Sequence, residues 1–242
     1  MDGTLRLAVW SGPRNISTAM MRSWGARADT VVVDEPFYAR YLARTGAAHP
    51  GRDEVIGAGE TDAARIVASL TGPCPRGVFY QKHMAHHILP GDDRSWLSAV
   101  TSAFLIREPA EMIASFVRVV ANPTPRDLGL PQQVEMFERE RSRTGRVPTV
   151  VDAREVLEDP RGVLGAWCER LGVAFDERML SWEAGPRPTD GVWGKHWYGA
   201  VYRTTGFEAW REREVEIPRS LAGVVEECRG LYARLHAHRV RA

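Results

Sequence analysis

The stretch Arg6-Leu-Ala-Val-Trp-Ser-Gly-Pro-Arg-Asn-Ile-Ser-Thr-Ala-Met-Met21 decides how the rest of the chain is read. An apolar run, Leu7 to Trp10, breaks at Ser11-Gly12-Pro13, and a helical pattern carrying Met20, Met21 and Trp24 follows. This order predicts strand, tight loop, helix, which aims backbone N–H groups and a positive helix end at an anion. Gly12 permits the sharp turn and Pro13 stiffens it. Asn15, Ser17 and Thr18 offer an N-cap and further donors, while Arg14 brings a fixed charge suited to phosphate or sulfate oxygens. The nucleoside-triphosphate pattern G-x-x-x-x-G-K-[ST], started at Gly12, would need its second glycine and its lysine at Ser17 and Thr18, so the usual lysine is missing from its place.

Working outward, four further apolar runs alternate with helical patterns: Thr30–Asp34, Gly77–Lys82, Thr101–Ile106 and Val147–Val151. Helices are expected over 38–45, 61–71, 92–100, 131–144 and 161–171, with Gly172 as a C-cap and a Gly/Pro/His-containing loop reaching about Gly59. A long amphipathic helix over 218–239 closes the chain. The alternation predicts a single α/β domain over 1–242, in three α/β/α layers around a central parallel five-stranded sheet.

Composition narrows the function classes. The chain has 242 residues and a net charge of +1, which gives no case for nucleic acid or an acidic membrane surface. No stretch is apolar enough to span a bilayer, and the start lacks a basic-then-apolar leader, so a cytoplasmic setting is expected. Three scattered cysteines (Cys74, Cys168, Cys228) argue against structural zinc and a disulfide framework. Of the 32 basic residues only two are lysines, Lys82 and Lys195, and each stands beside a histidine.

Polar residues collect where the strands are expected to end, which is where open parallel sheets bind ligands. Asp34 and Glu35 follow the second run. Lys82 and His83, then His86 and His87, follow the third, and are expected as a surface histidine cluster rather than a metal site, since no H-E-x-x-H is present. Arg107 leaves the fourth run, and Pro109 opens a helix with Glu108 and Glu111 at its positive end and Ser115 about two turns along. The segment 191–207, rich in glycine and aromatics, has the look of a binding loop.

Three of these motifs resemble those of the sulfotransferases that use 3′-phosphoadenosine 5′-phosphosulfate (PAPS). Pro13-Arg14-Asn15-Ile16-Ser17-Thr18 is similar to the family's phosphosulfate loop, [PK]-[KR]-[ST]-G-[ST]-[ST], with Asn15 in place of a hydroxyl residue and Ile16 in place of glycine. Arg107-Glu-Pro-Ala-Glu-Met-Ile-Ala-Ser115 matches in spacing the R-[DN]-P-x-x-x-x-x-S pattern that holds the donor's 3′-phosphate. Asp159-Pro160, Leu171-Gly172-Val173 and Met179-Leu180 resemble the family's later fold markers. The resemblance covers nearly the whole chain and implies a P-loop nucleotide-binding-like fold of the bacterial, small-molecule type.

What the resemblance implies is sulfuryl transfer from PAPS to a hydroxyl or amine of a small acceptor, releasing 3′-phosphoadenosine 5′-phosphate (PAP), with no metal. Gly12 through Thr18, Arg107 and Ser115 would bind the donor, joined by Arg203 and Thr205 from the later loop. Arg14 would hold the transferring group and Lys82 would meet the bridging oxygen as the phosphate leaves. Glu35, His86 and His83 are the general-base candidates, in that order. Aromatic residues around 37–41 and 193–202 suggest an apolar or ring-containing acceptor, and a homodimer is left open. A P-loop small-molecule kinase and a non-catalytic adenylate-nucleotide-binding protein are the competing classes.

Overall fold

The computed structural model describes residues 3–212 and 214–242. Five strands, β1 (Leu5–Ser11), β2 (Thr30–Asp34), β3 (Val78–Met84), β4 (Thr101–Ile106) and β5 (Thr149–Asp152), form one parallel sheet in the order β2-β3-β1-β4-β5. Helices α1 (Ser17–Gly25), α2 (Tyr38–Thr45), α3 (Arg52–Ala58), α4 (Ala63–Thr71), α5 (Pro109–Phe116), α6 (Leu130–Thr144), α7 (Ala153–Glu158), α8 (Pro160–Leu171), α9 (Gly194–Trp197) and α10 (Ala222–His236) connect and follow them. Leu7, Ala8, Val9 and Trp10 are all essentially sealed from solvent, as expected for a strand covered on both faces.

The chain divides into two compact units. One comprises residues 3–9, 18–101 and 176–207. Its strands β2 and β3 pair in parallel from Thr30 opposite Val78 to Asp34 opposite Lys82, which sets a carboxylate and an ammonium side by side. Trp24 stacks on Tyr80 in its core at 5.7 Å. The other unit comprises residues 10–17, 102–175 and 208–242. There β4 and β5 run parallel, Ala103 opposite Thr149 through Ile106 opposite Asp152, and Phe104 meets Phe137 edge-on at 5.7 Å.

Local chemistry explains most helix limits. The carboxylate of Glu108 accepts from the N–H groups of Ala110 and Glu111 at the start of α5, with Pro109 in the first turn. Asp152 caps α7 in the same way, Asp159 caps α8, and Gly172 ends α8 at φ 71°.

Four expectations are corrected. The region expected as a loop up to Gly59 contains α3. The helix expected over 92–100 is a 3₁₀ turn, Ser95–Ala99. Asp93 takes the Ser95 N–H and hydroxyl, and Asp92 is drawn to Arg40 and Arg44, so local side-chain bonds compete with a full helix. Strand β3 continues through His83 and Met84 rather than ending at Lys82. The last helix is shorter than 218–239, with a 3₁₀ turn at Arg219–Leu221 before it.

Candidate functional site

Within the second unit, the opening loop, Arg107 just before α5 and Ser115 near its end form a single hydrogen-bonded set. Arg14 Nε donates to Ser115 Oγ at 2.9 Å, and Arg107 Nη1 donates to the Arg14 carbonyl at 2.9 Å. Asn15 is buried and fixes the loop by donating Nδ2 to the Leu105 carbonyl at 2.6 Å. Gly12 is required by close packing, since any Cβ there would run into the Leu128 carbonyl oxygen and the Met112 side chain. The loop backbone is strained: Arg14 has φ 59° and Ile16 φ 40°, left-handed values that a β-branched residue rarely adopts. The position where the phosphosulfate loop carries glycine is therefore one where this backbone favours glycine.

Positive charge converges on that loop. Burial, then the charges of Arg107 and Arg118, lower the pKa of the Arg14 guanidinium, the signature of cations crowded where an anion would relieve them. Arg118 escaped sequence reasoning, although it stands three residues beyond Ser115, just past the end of α5. Glu111 partly balances the cluster through a 2.6 Å ion pair with Arg107. A cleft of about 680 Å³ lies beside α5 in the same unit, lined by Glu108, Glu111, Arg154, Trp210 and Arg229 among others.

The first unit holds a second polar set at the ends of β2 and β3. The Lys82 ammonium donates to Asp34 Oδ1 at 2.8 Å, to Glu35 Oε1 at 2.6 Å and to the Tyr198 hydroxyl at 2.6 Å, which accounts for all three of its protons. Tyr198 also accepts from Trp193 Nε1 at 2.9 Å and donates to Asp34 Oδ2 at 2.8 Å. Lys82 and Asp34 side chains are 1% exposed, and Glu35 is 10%. Burial opposes the charge on Lys82, but Asp34 and Glu35 outweigh it and hold the ammonium above its ordinary pKa. Burial raises the Glu35 carboxyl, and repulsion from Asp34 adds to this, against the pull of Lys82. Glu35 sits at φ 41°, another strained non-glycine position.

The histidines are not at the surface. His83, His86 and His87 are all buried, because β3 carries on through His83 and a 3₁₀ turn, Ala85–His87, tucks the next two inward. His87 stacks flat on Tyr38 at 4.7 Å, and His86 meets Tyr41 edge-on at 5.2 Å. His83 Nε2 lies 3.3 Å from Gln81 Oε1, and burial pushes its pKa down to about 3. No set of three His, Cys, Asp or Glu among the described residues could hold a metal ion.

The structure thus brings Arg14 and Asn15 together with Arg107 and Ser115, and Glu35 with Lys82. Ser17 and Thr18 open α1, with Ser17 buried. Pro13 is buried in the loop. Arg203 and Thr205 lie exposed in the first unit, where the Thr205 carbonyl accepts from the Trp182 N–H at 2.9 Å. Asp34, Trp193 and Tyr198 were not singled out in the sequence as site residues. Two signals pointed at them: the doubled acid at a strand end, and the aromatic-rich segment after Gly191.

A parallel sheet with a strained, arginine-lined strand–loop–helix turn defines a P-loop-like α/β protein suited to holding anions. The chain belongs to the sulfotransferase domain family, whose model matches residues 5–221. Two Arabidopsis thaliana relatives, branched-chain-amino-acid aminotransferase-like proteins 1 and 2, are 36% and 33% identical over 230 and 232 residues. The match takes in 95% of this chain but 41% of each relative. The sulfotransferase domain of the Synechococcus PCC 7002 olefin synthase has the same fold, with a TM-score of 0.58 at 19% identity over 94% of both chains. The sulfotransferase domain from the curacin biosynthetic pathway superposes with a TM-score of 0.52 at 15% identity, over 96% of this chain and 98% of that one.

Proposed function

We propose that the chain transfers a sulfuryl group from PAPS to a hydroxyl or amine of a small-molecule acceptor, in a cytoplasmic setting and without a metal. The observation that carries this is the bonding of Arg14, Ser115 and Arg107 into one cationic set, joining the two anion-binding motifs that the sequence separates by about a hundred residues. The loop N–H groups and Arg14 would hold the 5′-phosphosulfate, and Arg107 with Ser115 the 3′-phosphate.

Transfer of this kind is a loose in-line displacement in which the protein positions groups and balances charge. A new bond forms between the acceptor heteroatom and sulfur as the bond from sulfur to the bridging oxygen breaks. Lys82 would donate to the oxygen that leaves with PAP, and Glu35 would take the acceptor's proton. Glu35 fits that task better than His83 or His87, because burial lowers the proton affinity of both imidazoles, whereas burial and repulsion from Asp34 raise that of the Glu35 carboxyl against the pull of Lys82.

The aminotransferase wording of the plant relatives finds no foothold in the lysines of this chain. Imine formation needs a neutral amine, and Lys82 is held protonated between two carboxylates, while Lys195 is exposed and paired with Glu54 at 2.6 Å.

Calorimetry against PAP and against ADP with Mg²⁺ tests the assignment. PAP should bind more tightly, and Arg107→Ala should weaken it about 10- to 100-fold, the worth of one charge-assisted contact. Equal binding of the two nucleotides, or an unaffected R107A variant, would favour the kinase class. Transfer of labelled sulfate from PAPS into a metabolite pool separates an enzyme from a nucleotide-binding protein.

A further inference from the structure

The three bonds of the Lys82 ammonium are not equivalent. Asp34 is anchored on both oxygens: Oδ1 takes Lys82, and Oδ2 takes the Tyr198 hydroxyl and, at 3.3 Å, the Gly191 N–H. Tyr198 is anchored from three sides, by Trp193, Lys82 and Asp34, and its own N–H closes α9 onto the Gly194 carbonyl. The segment carrying it is tied down again by the buried ion pair of Arg22 with Asp190 at 2.7 Å. Glu35 has no such support. Every hydrogen bond of its carboxylate among the described residues falls on Oε1, its backbone is strained at φ 41°, and it is the more exposed of the two acidic partners.

We propose that Asp34 and Tyr198 are positioning residues that hold two of the three Lys82 N–H groups in place, leaving the Lys82–Glu35 bond as the one exchanged during the reaction. An anionic oxygen that takes the third N–H displaces the Glu35 carboxylate, which becomes available as a base at the moment the lysine meets the leaving group. No net proton change is needed for the exchange, since the ammonium keeps its three protons and swaps one acceptor for another. The remaining titratable groups facing the cluster are Tyr38 on α2, Tyr80 on β3, Tyr202 and His87; burial raises the three phenols and lowers the imidazole.

The exchange role rests on the sulfuryl-transfer assignment, whereas the holding role does not, and the test reads them separately. With only two lysines in the chain, side-chain ¹⁵N-labelled lysine gives two ammonium resonances, and Lys195→Arg assigns them. Tyr198→Phe and Asp34→Asn should speed hydrogen exchange at the Lys82 ammonium at least tenfold, while Glu35→Gln should leave it within about twofold. Equal acceleration by E35Q, or none in Y198F, overturns the proposal whether or not the chain transfers sulfate. Should D34N fail to fold, Y198F carries the comparison, because it removes one hydroxyl and keeps the ring. In PAPS-dependent turnover Y198F should then lower kcat with little change in KM for PAPS. A change confined to KM would overturn the exchange role alone.

Discussion

Ile16 occupies a backbone conformation that costs an L-residue about 1–2 kcal/mol. Replacing it with glycine removes that strain and a half-buried side chain together, and adds about 0.5–1 kcal/mol of chain entropy to be lost on folding. Ile16→Gly should therefore leave the urea midpoint close to that of the parent chain and tighten PAP binding, because backbone can approach the ligand more closely. A loss above about 3 kcal/mol would mean the side chain matters more than the strain. Three of the four left-handed non-glycine residues among the described residues, Arg14, Ile16 and Glu35, belong to the two polar sets, which fits strain being held at functional positions. At Glu35 the chemistry can be tested directly. Glu35→Gln should lower kcat by about 10²- to 10⁴-fold, as expected for loss of a general base, with PAP affinity unchanged. Full turnover in E35Q would return the role to a histidine.

Helix α5 shows how one short element can be legible in sequence while its surroundings are not. Pro109, the acidic first turn and the spacing from Arg107 to Ser115 were all readable, because each is set by contacts within a few residues. That Arg107 would bond to the Arg14 carbonyl, and Arg14 to Ser115, depends on chain segments about a hundred residues apart, which no local pattern encodes. The same holds for Lys82: its scarcity in the sequence marked it out, but its partner Tyr198 lies 116 residues away. The histidines were misplaced for a related reason. Polar residues after a strand usually reach solvent, but here β3 runs on through His83 and a 3₁₀ turn carries His86 and His87 inward. The cap of α5 supplies a prediction at this scale. Glu108→Ala removes the acceptor for two N–H groups and the Arg229 pair, and should cost about 1 kcal/mol in urea unfolding. Glu108→Asp should recover most of it, and an unchanged midpoint in the alanine variant would deny the cap a role.

For the whole molecule, the buried imidazoles govern behaviour in acid. His83 has its pKa pushed down to about 3 and His87 lies well below the ordinary value, so both remain neutral in the native state at mild acidity. The unfolded chain takes up those protons as pH falls through about 6.5. Stability is thus present in full above that point and is lost on acidification, by about 1.4 kcal/mol per pH unit for each ring. Glu35 works in the opposite sense. Its raised pKa makes the native state take up a proton before the unfolded one, which offsets part of the loss. Urea midpoints should fall between pH 7 and 5, and less steeply in His83→Gln. A flat profile in the parent chain would show that the rings reach water before unfolding.

The enclosure of Lys82 also has a practical side. An acylating reagent needs a free, unprotonated amine, and that side chain is 1% exposed, fully bonded and held cationic, whereas Lys195 is 58% exposed. Among the side chains, amine-directed conjugation of the native protein should therefore attach a dye or a surface linker at one address only.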